Sequence, residues 1–156
     1  MTLIDKVRKT IRQYQMLDDG ETVVVALSGG ADSCTLLSVM AELKNEYHLK
    51  IIVAHFNHGT RGSESQEDET FCRKIAAMYN FHYETGKMIS MSIPKGRSPE
   101  EHYRIERYRF LDQVATNCGA KKIALGHHLS DQAETVLINI IRGSGMAGLK
   151  GILPIR

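Results

Sequence analysis

The chain has 156 residues, 42% hydrophobic and 24% charged, with 20 basic and 18 acidic side chains for a formal net charge of +2. That length lets one domain bury a core without staples, and so small a charge supplies no strong field to steer nucleic acid or a membrane surface. An average charged fraction argues against disorder, and no apolar run approaches the ~20 residues of a bilayer-crossing helix. The start, Thr2 to Lys6, lacks the apolar stretch of a signal peptide, and Cys34, Cys72 and Cys118 form no CxxC pair. Both features point to a reduced, cytoplasmic setting.

In chain order, Leu3, Val7, Ile11 and Tyr14, with basic residues between them, predict an amphipathic helix over 3–17. Thr22 to Leu27 is a short run of mainly β-branched apolar residues, and Ile51 to Ala54 and Ile123 to Leu125 repeat the pattern. Continuous rather than alternating apolar runs suit strands buried on both faces of a parallel sheet. Helical stripes lie between them: Leu36, Leu37, Met40 and Leu43, then Phe71, Cys72, Ile75, Ala76 and Tyr79. The acidic run Glu64, Glu67, Asp68, Glu69 reads as a solvated first turn of the second of these helices, favoured by its dipole. His82 to Met88 is a weaker strand candidate. Ser98-Pro99-Glu100-Glu101 starts a helix that Gly119 ends, and Ala133, Val136, Leu137, Ile140 and Ile141 predict a last one. Strand and helix alternate, so the expected fold is α/β, Rossmann-like: one domain over 1–156 with a mostly parallel sheet and helices on both faces.

The most informative segment is Ser28-Gly29-Gly30-Ala31-Asp32-Ser33, between a strand and a helix. Adjacent glycines bring bare backbone N–H groups close to a ligand, and the helix N-terminus adds its own amides and dipole. A phosphate or pyrophosphate is the natural occupant, with the Ser28 and Ser33 hydroxyls as further donors. The loop is neither a Walker A sequence, which needs lysine where Asp32 stands, nor a G-x-G-x-x-G fingerprint. Asp32 would repel a polyphosphate unless it binds Mg²⁺ or holds the loop; otherwise it is a helix N-cap.

Other segments admit two readings on their residues alone. His55, Asn57, His58 and Arg61 follow the second strand. His55 and His58 with His127 invite a metal reading, but no cysteine or carboxylate cluster joins them at ligand spacing, and a strand-end histidine bonded to backbone is the simpler account. Arg104 and Arg107 share a helix side, either pairing with Glu100 and Glu101 or offering a fork to phosphate or carboxylate. Asp131 and Glu134 share a side of the last helix, as dipole partners or as a carboxylate pair for a cation. His127 stands at a third strand end, placed to meet a nucleotide. Arg142 and Gly143 are a helix C-cap or further phosphate contacts.

Leu27 to Ser33 resembles the PP-loop of ATP pyrophosphatases, enzymes of the adenine nucleotide alpha hydrolase-like fold that split ATP into AMP and pyrophosphate. Three further blocks narrow the resemblance to the tRNA(Ile)-lysidine synthetases: His55 to Gly62, Glu100 to Leu111, and Gly126 to Thr135 followed by Arg142 to Gly145. The resemblance implies ATP as cosubstrate and Mg²⁺ held by Asp32, with Asp131 as a further candidate ligand. It implies an ATP site of Ser28, Gly29, Gly30, Ala31, Asp32, Ser33, His55, Asn57, His127, Arg142 and Gly143. Asp32, Arg107, Asp131 and Glu134 are the implied catalytic group, the last three also holding free L-lysine. The implied reaction is a ligation in tRNA processing. It adenylates the wobble cytidine of tRNA(Ile) with a CAU anticodon, releases pyrophosphate, then joins lysine to give lysidine and AMP. Two alternatives are an ATP-binding module that does not complete catalysis and a tRNA-thiolating enzyme. The second is disfavoured because cluster-bearing thiolases need several cysteines, usually including CxxC. Two departures from the family pattern are Ser130, where relatives often carry an acid, and Thr60, where they usually carry leucine. The family runs on into further tRNA-holding domains, so the expectation is a catalytic core without them; a homodimer is compatible, a membrane is not. No basic stripe or tryptophan marks a nucleic-acid platform.

Overall fold

A computed structural model of the chain describes residues 2–60, 62–88, 93–127, 129–141, 143–144 and 150–153; Arg61, His128, Arg142 and Gly145 lie outside the described residues. The elements are α1 (Leu3–Tyr14), β1 (Thr22–Ala26), α2 (Ala31–Leu43), β2 (Lys50–Asn57), α3 (Ser63–Met78), β3 (His82–Lys87), α4 (Pro99–Cys118), β4 (Lys122–Ala124) and α5 (Leu129–Ile141). They form two compact units: Asp19–Leu125, which holds the sheet, and the two chain ends, up to Asp18 and from Gly126.

Within the first unit the four strands are all parallel in the order β3-β2-β1-β4. The register sets Val24 opposite Ile52 on one side and Ile123 on the other. The chain moves outward from β1 to β2 and β3, then returns to β1's other flank with β4. The order therefore reverses between β1 and β4, and open α/β sheets take ligands outside the carboxyl ends of the strands at such a point.

Val23, Val24 and Val25 are all buried, which explains why β1 reads as a continuous apolar run. One face packs Val24, Ile52 and Ala54 against Leu111, Val114 and Ala115 of α4. The alternate positions Val23, Val25, Ile51 and Val53 are equally buried on the side of α2 and α3, which pack on β1 and on β2 and β3. Helices on both faces are thus as expected.

α4 begins and ends as its sequence predicts: Ser98 Oγ accepts from the Glu101 amide, Pro99 opens the helix, and Gly119 closes it at φ +69°. β2 differs. It runs three residues past its apolar run, so His55 and Asn57 lie within the strand and are buried there. β4 is three residues long and begins one residue earlier than its apolar run suggests. Phe110 of α4 lies so close to β3 that a Cβ at Gly86 would stand 2.4 Å from its ring. The ring also reaches Phe56 of β2, centroids 5.6 Å apart.

In the second unit α1 is closed by a capping box between Thr2 and Asp5 that the sequence reading did not include. α5 forms as its spacing predicts but buries none of its residues, and Leu137, Ile140 and Ile141 of its apolar stripe are exposed. Gln132 holds the segment after it: its Oε1 accepts from the Ile152 amide at 2.6 Å and its Nε2 donates to the Lys150 carbonyl at 3.3 Å. Among the described residues no helix is long and apolar enough to cross a membrane.

Candidate functional site

The Ser28–Ser33 loop leaves β1 at its carboxyl end, beside the point where the strand order reverses. Ser33 is buried, and its hydroxyl has all three valences in use. It accepts from the Ser28 amide (3.1 Å) and the Ser28 hydroxyl (3.0 Å) and donates to the Gly30 carbonyl (2.9 Å). The sequence made Ser33 a phosphate donor; in the structure its hydroxyl is the internal tie of the loop. Gly29 has φ +92°, a region side chains rarely adopt, and a Cβ there would come to 3.5 Å from Cys72 Sγ.

Gly30, with extended backbone, is the N-cap of α2, and its carbonyl takes the first helical bond from the Cys34 amide at 3.0 Å. The amides of Ala31, Asp32 and Ser33 precede that first rung, at the positive end of the helix dipole. Asp32 is exposed in the first turn rather than at the N-cap. Beneath the loop, Cys34 Sγ lies 3.7 Å from the Gly29 carbonyl and Cys72 Sγ 3.8 Å from the Leu27 carbonyl. Burial raises both thiols, Cys72 to about 12, so no thiolate opposes an anion above them.

The end of β2 is built differently. His55 is buried, and its Nδ1–H donates to the Leu27 carbonyl at 2.8 Å, tying β2 to the root of the phosphate loop. This is the backbone-bonded strand-end histidine of the simpler sequence reading. Asn57 is buried with its amide engaged inside the protein: Nδ2 donates to the Ser65 carbonyl and to Glu69 Oε2, both at 3.0 Å, while Oδ1 accepts from the Gly59 amide at 2.8 Å. Asn57 therefore shapes the β2–α3 turn.

Glu69 was expected in the solvated acidic run, but its side chain is only 12% exposed and also pairs with Arg73 and Lys87. The Asn57 hydrogen bond, ahead of the Lys87 charge, holds its carboxyl below the usual range against the opposing effect of burial. Little in the local sequence separates Glu69 from Glu67 or Asp68. Arg73, four residues on, is its one local distinction, and the arrival of Asn57 and Lys87 does the rest.

His58 follows β2, with its ring edge-on to Phe56 (5.0 Å) and tilted toward Tyr103 of α4 (5.7 Å). Arg107, one turn beyond Tyr103, lies over Tyr108 at 5.5 Å and makes no ion pair with Glu100 or Glu101. His58 Nδ1 and Arg107 Nε are both buried without a hydrogen-bond partner. Arg104 is exposed over Tyr108 at 5.8 Å, and Arg109 pairs with Glu106.

The structure thus brings Ser28–Ser33, His55, Asn57 and Arg107 into the sheet unit. His127, Asp131, Glu134 and Gly143 belong to the unit of the chain ends. There Asp131 stands in the first turn of α5 with Glu134 three residues on, and Gly143 has φ +70° after the helix. No three His, Cys, Asp or Glu side chains among the described residues gather as a metal site.

A family model described as a PP-loop domain matches residues 3–156. The chain belongs to the PP-loop domain family. Among curated relatives, tRNA(Ile)-lysidine synthase of Geobacter sulfurreducens is 41% identical over 155 residues, covering 98% of this chain and 33% of the relative. That of Clostridioides difficile is 40% identical over 159 residues, covering 99% and 34%. This PP-loop chain spans about a third of the length of the curated relatives it matches. A solved U34-tRNA thiolase from Methanococcus maripaludis, with its [4Fe-4S] cluster, superposes with a TM-score of 0.74 at 22% identity, over 90% of this chain and 50% of that one, and shares the PP-loop fold.

Proposed function

We propose that the chain is the ATP-binding catalytic portion of a tRNA(Ile)-lysidine synthase. The observation that carries this reading is the Ser28–Ser33 loop at the strand-order reversal, in a chain 41% identical over 155 residues to a tRNA(Ile)-lysidine synthase. ATP is held with its phosphates at the amides that open α2, and Gly29 and Gly30 allow close approach. His127, Arg142 and Gly143 complete the nucleotide site, while His55 and Asn57 support it by shaping the strand end. Asp32, exposed in the first turn beside those amides, would hold Mg²⁺, which typically binds one or two carboxylates plus substrate phosphates and offsets pyrophosphate charge.

The wobble cytidine's carbonyl oxygen attacks the α-phosphate and pyrophosphate leaves; the lysine amine then attacks the activated carbon and AMP leaves. Asp131 and Glu134 bind the two ammonium groups of lysine, and Arg107 acts at the reacting centre. The protein's part is positioning and charge stabilisation. The partners are tRNA(Ile) with a CAU anticodon, L-lysine and, as an assembly, a second copy of the chain.

The test is incorporation of labelled lysine into that tRNA with AMP release. Incorporation that Asp32→Ala abolishes, together with pyrophosphate release, is the expected result. Full pyrophosphate release by Asp32→Ala overturns the assignment of Asp32, and ATP binding without incorporation on a competent tRNA favours a binding module.

A further inference from the structure

We propose that His58 serves this reaction as a neutral hydrogen-bond donor, its Nε2–H directed to an acceptor oxygen of the substrate at the carboxyl edge of the sheet. The inference rests on the proposed function for what the substrate is, and on the geometry for the donor. The ring is held in place by Phe56 near the end of β2 and Tyr103 on α4, and Phe110 backs Phe56 in turn. Of its two nitrogens, Nδ1 is buried without a partner. A buried N–H without an acceptor is rarer than an under-used lone pair, so Nδ1 carries the lone pair. The proton therefore sits on Nε2, for which the described residues offer no hydrogen-bond partner.

A second proton is disfavoured by burial first, then by Arg107 and His55; Tyr103 is the other titratable group against the ring, and His102 packs beside it. A neutral imidazole is the form that polarises an oxygen without handing over a proton. The acceptor is either the base carbonyl or an ATP phosphate oxygen, and the two are separable by experiment.

Three variants and one spectrum test this. His58→Ala should lower kcat about 100-fold or more, the usual loss on deleting one preorganised donor. His58→Gln, which keeps a neutral N–H donor, should recover to within about tenfold of the parent, whereas His58→Asp should not recover. Glutamine as slow as alanine, or alanine at the parental rate, overturns the proposal. If the oxygen belongs to ATP, His58→Ala weakens binding of a non-hydrolysable ATP analogue without RNA; if it belongs to the base, that affinity holds and only the tRNA-dependent step slows. Nitrogen-15 NMR of the unmodified chain should show His58 neutral with its proton on Nε2 at pH 7, and a proton on Nδ1 or an imidazolium overturns the proposal. That spectrum needs no turnover, so a chain that ligates no lysine would refute the proposed function while leaving His58 still decided.

Discussion

After β1 the chain turns through Ser28–Ser33, where serine hydroxyls bond to the loop itself and the backbone amides at the start of α2 face outward. After β2 it turns through His58 and Gly59, where one buried asparagine braces the turn and His58, in the role proposed above, offers its Nε2–H outward. The first loop builds with side chains and binds with backbone; the second braces with Asn57 and binds with a side chain. A backbone site tolerates changes of side-chain chemistry but not of conformation, whereas a side-chain site does the opposite.

The contrast can be broken from either side. Asn57→Ala should cost the most, about 3 kcal/mol, because it strips the Ser65 carbonyl, the Gly59 amide and Glu69 of a buried partner at once. Urea titration measures it, and the loss should fall on global stability rather than on the loop after β1. Ser33→Ala comes next, at about 2 kcal/mol, since the Ser28 amide and hydroxyl lose their acceptor. Affinity for an ATP analogue should fall with it, and unchanged affinity would mean that the hydroxyl tie does not organise the phosphate loop.

Glu69→Gln is the mildest, about 1 kcal/mol at neutral pH. Its folded-state pKa lies below the ordinary 4.5, so the charged carboxylate's stabilisation is present above that value and is lost as pH falls through the lower folded one. The gap between parent and Glu69→Gln should therefore close below about pH 4.5, and a gap constant with pH would show that the carboxylate's charge contributes nothing.

Much of this was legible in the residues. Three strands announce themselves as apolar runs, β1 and β2 because both of their faces are covered, and the Ser-Gly-Gly turn marks the phosphate loop by backbone needs alone. β3 was the weak one because His82, Glu84 and Lys87 are exposed, which leaves no continuous apolar run to betray it. What was hidden depends on partners distant in sequence. Glu69 gains its role from Asn57, twelve residues back, and His58 owes its neutral form to burial first and then to Arg107, forty-nine residues on. The exchange of roles at Ser33, from ligand donor to internal tie, follows from the turn's folding its hydroxyl inward, which spacing cannot express.

Gly86 lies on the outermost strand and has no functional group, yet its missing side chain is the seat of Phe110, and Phe110 backs Phe56 beneath His58. Any larger residue there must evict the ring, and the disturbance travels inward through two aromatics to the histidine that follows the neighbouring strand. A position with no chemistry of its own thus holds a veto over the reacting edge. In an inventory of loss-of-function changes it would rank with the site residues, for reasons visible only in three dimensions.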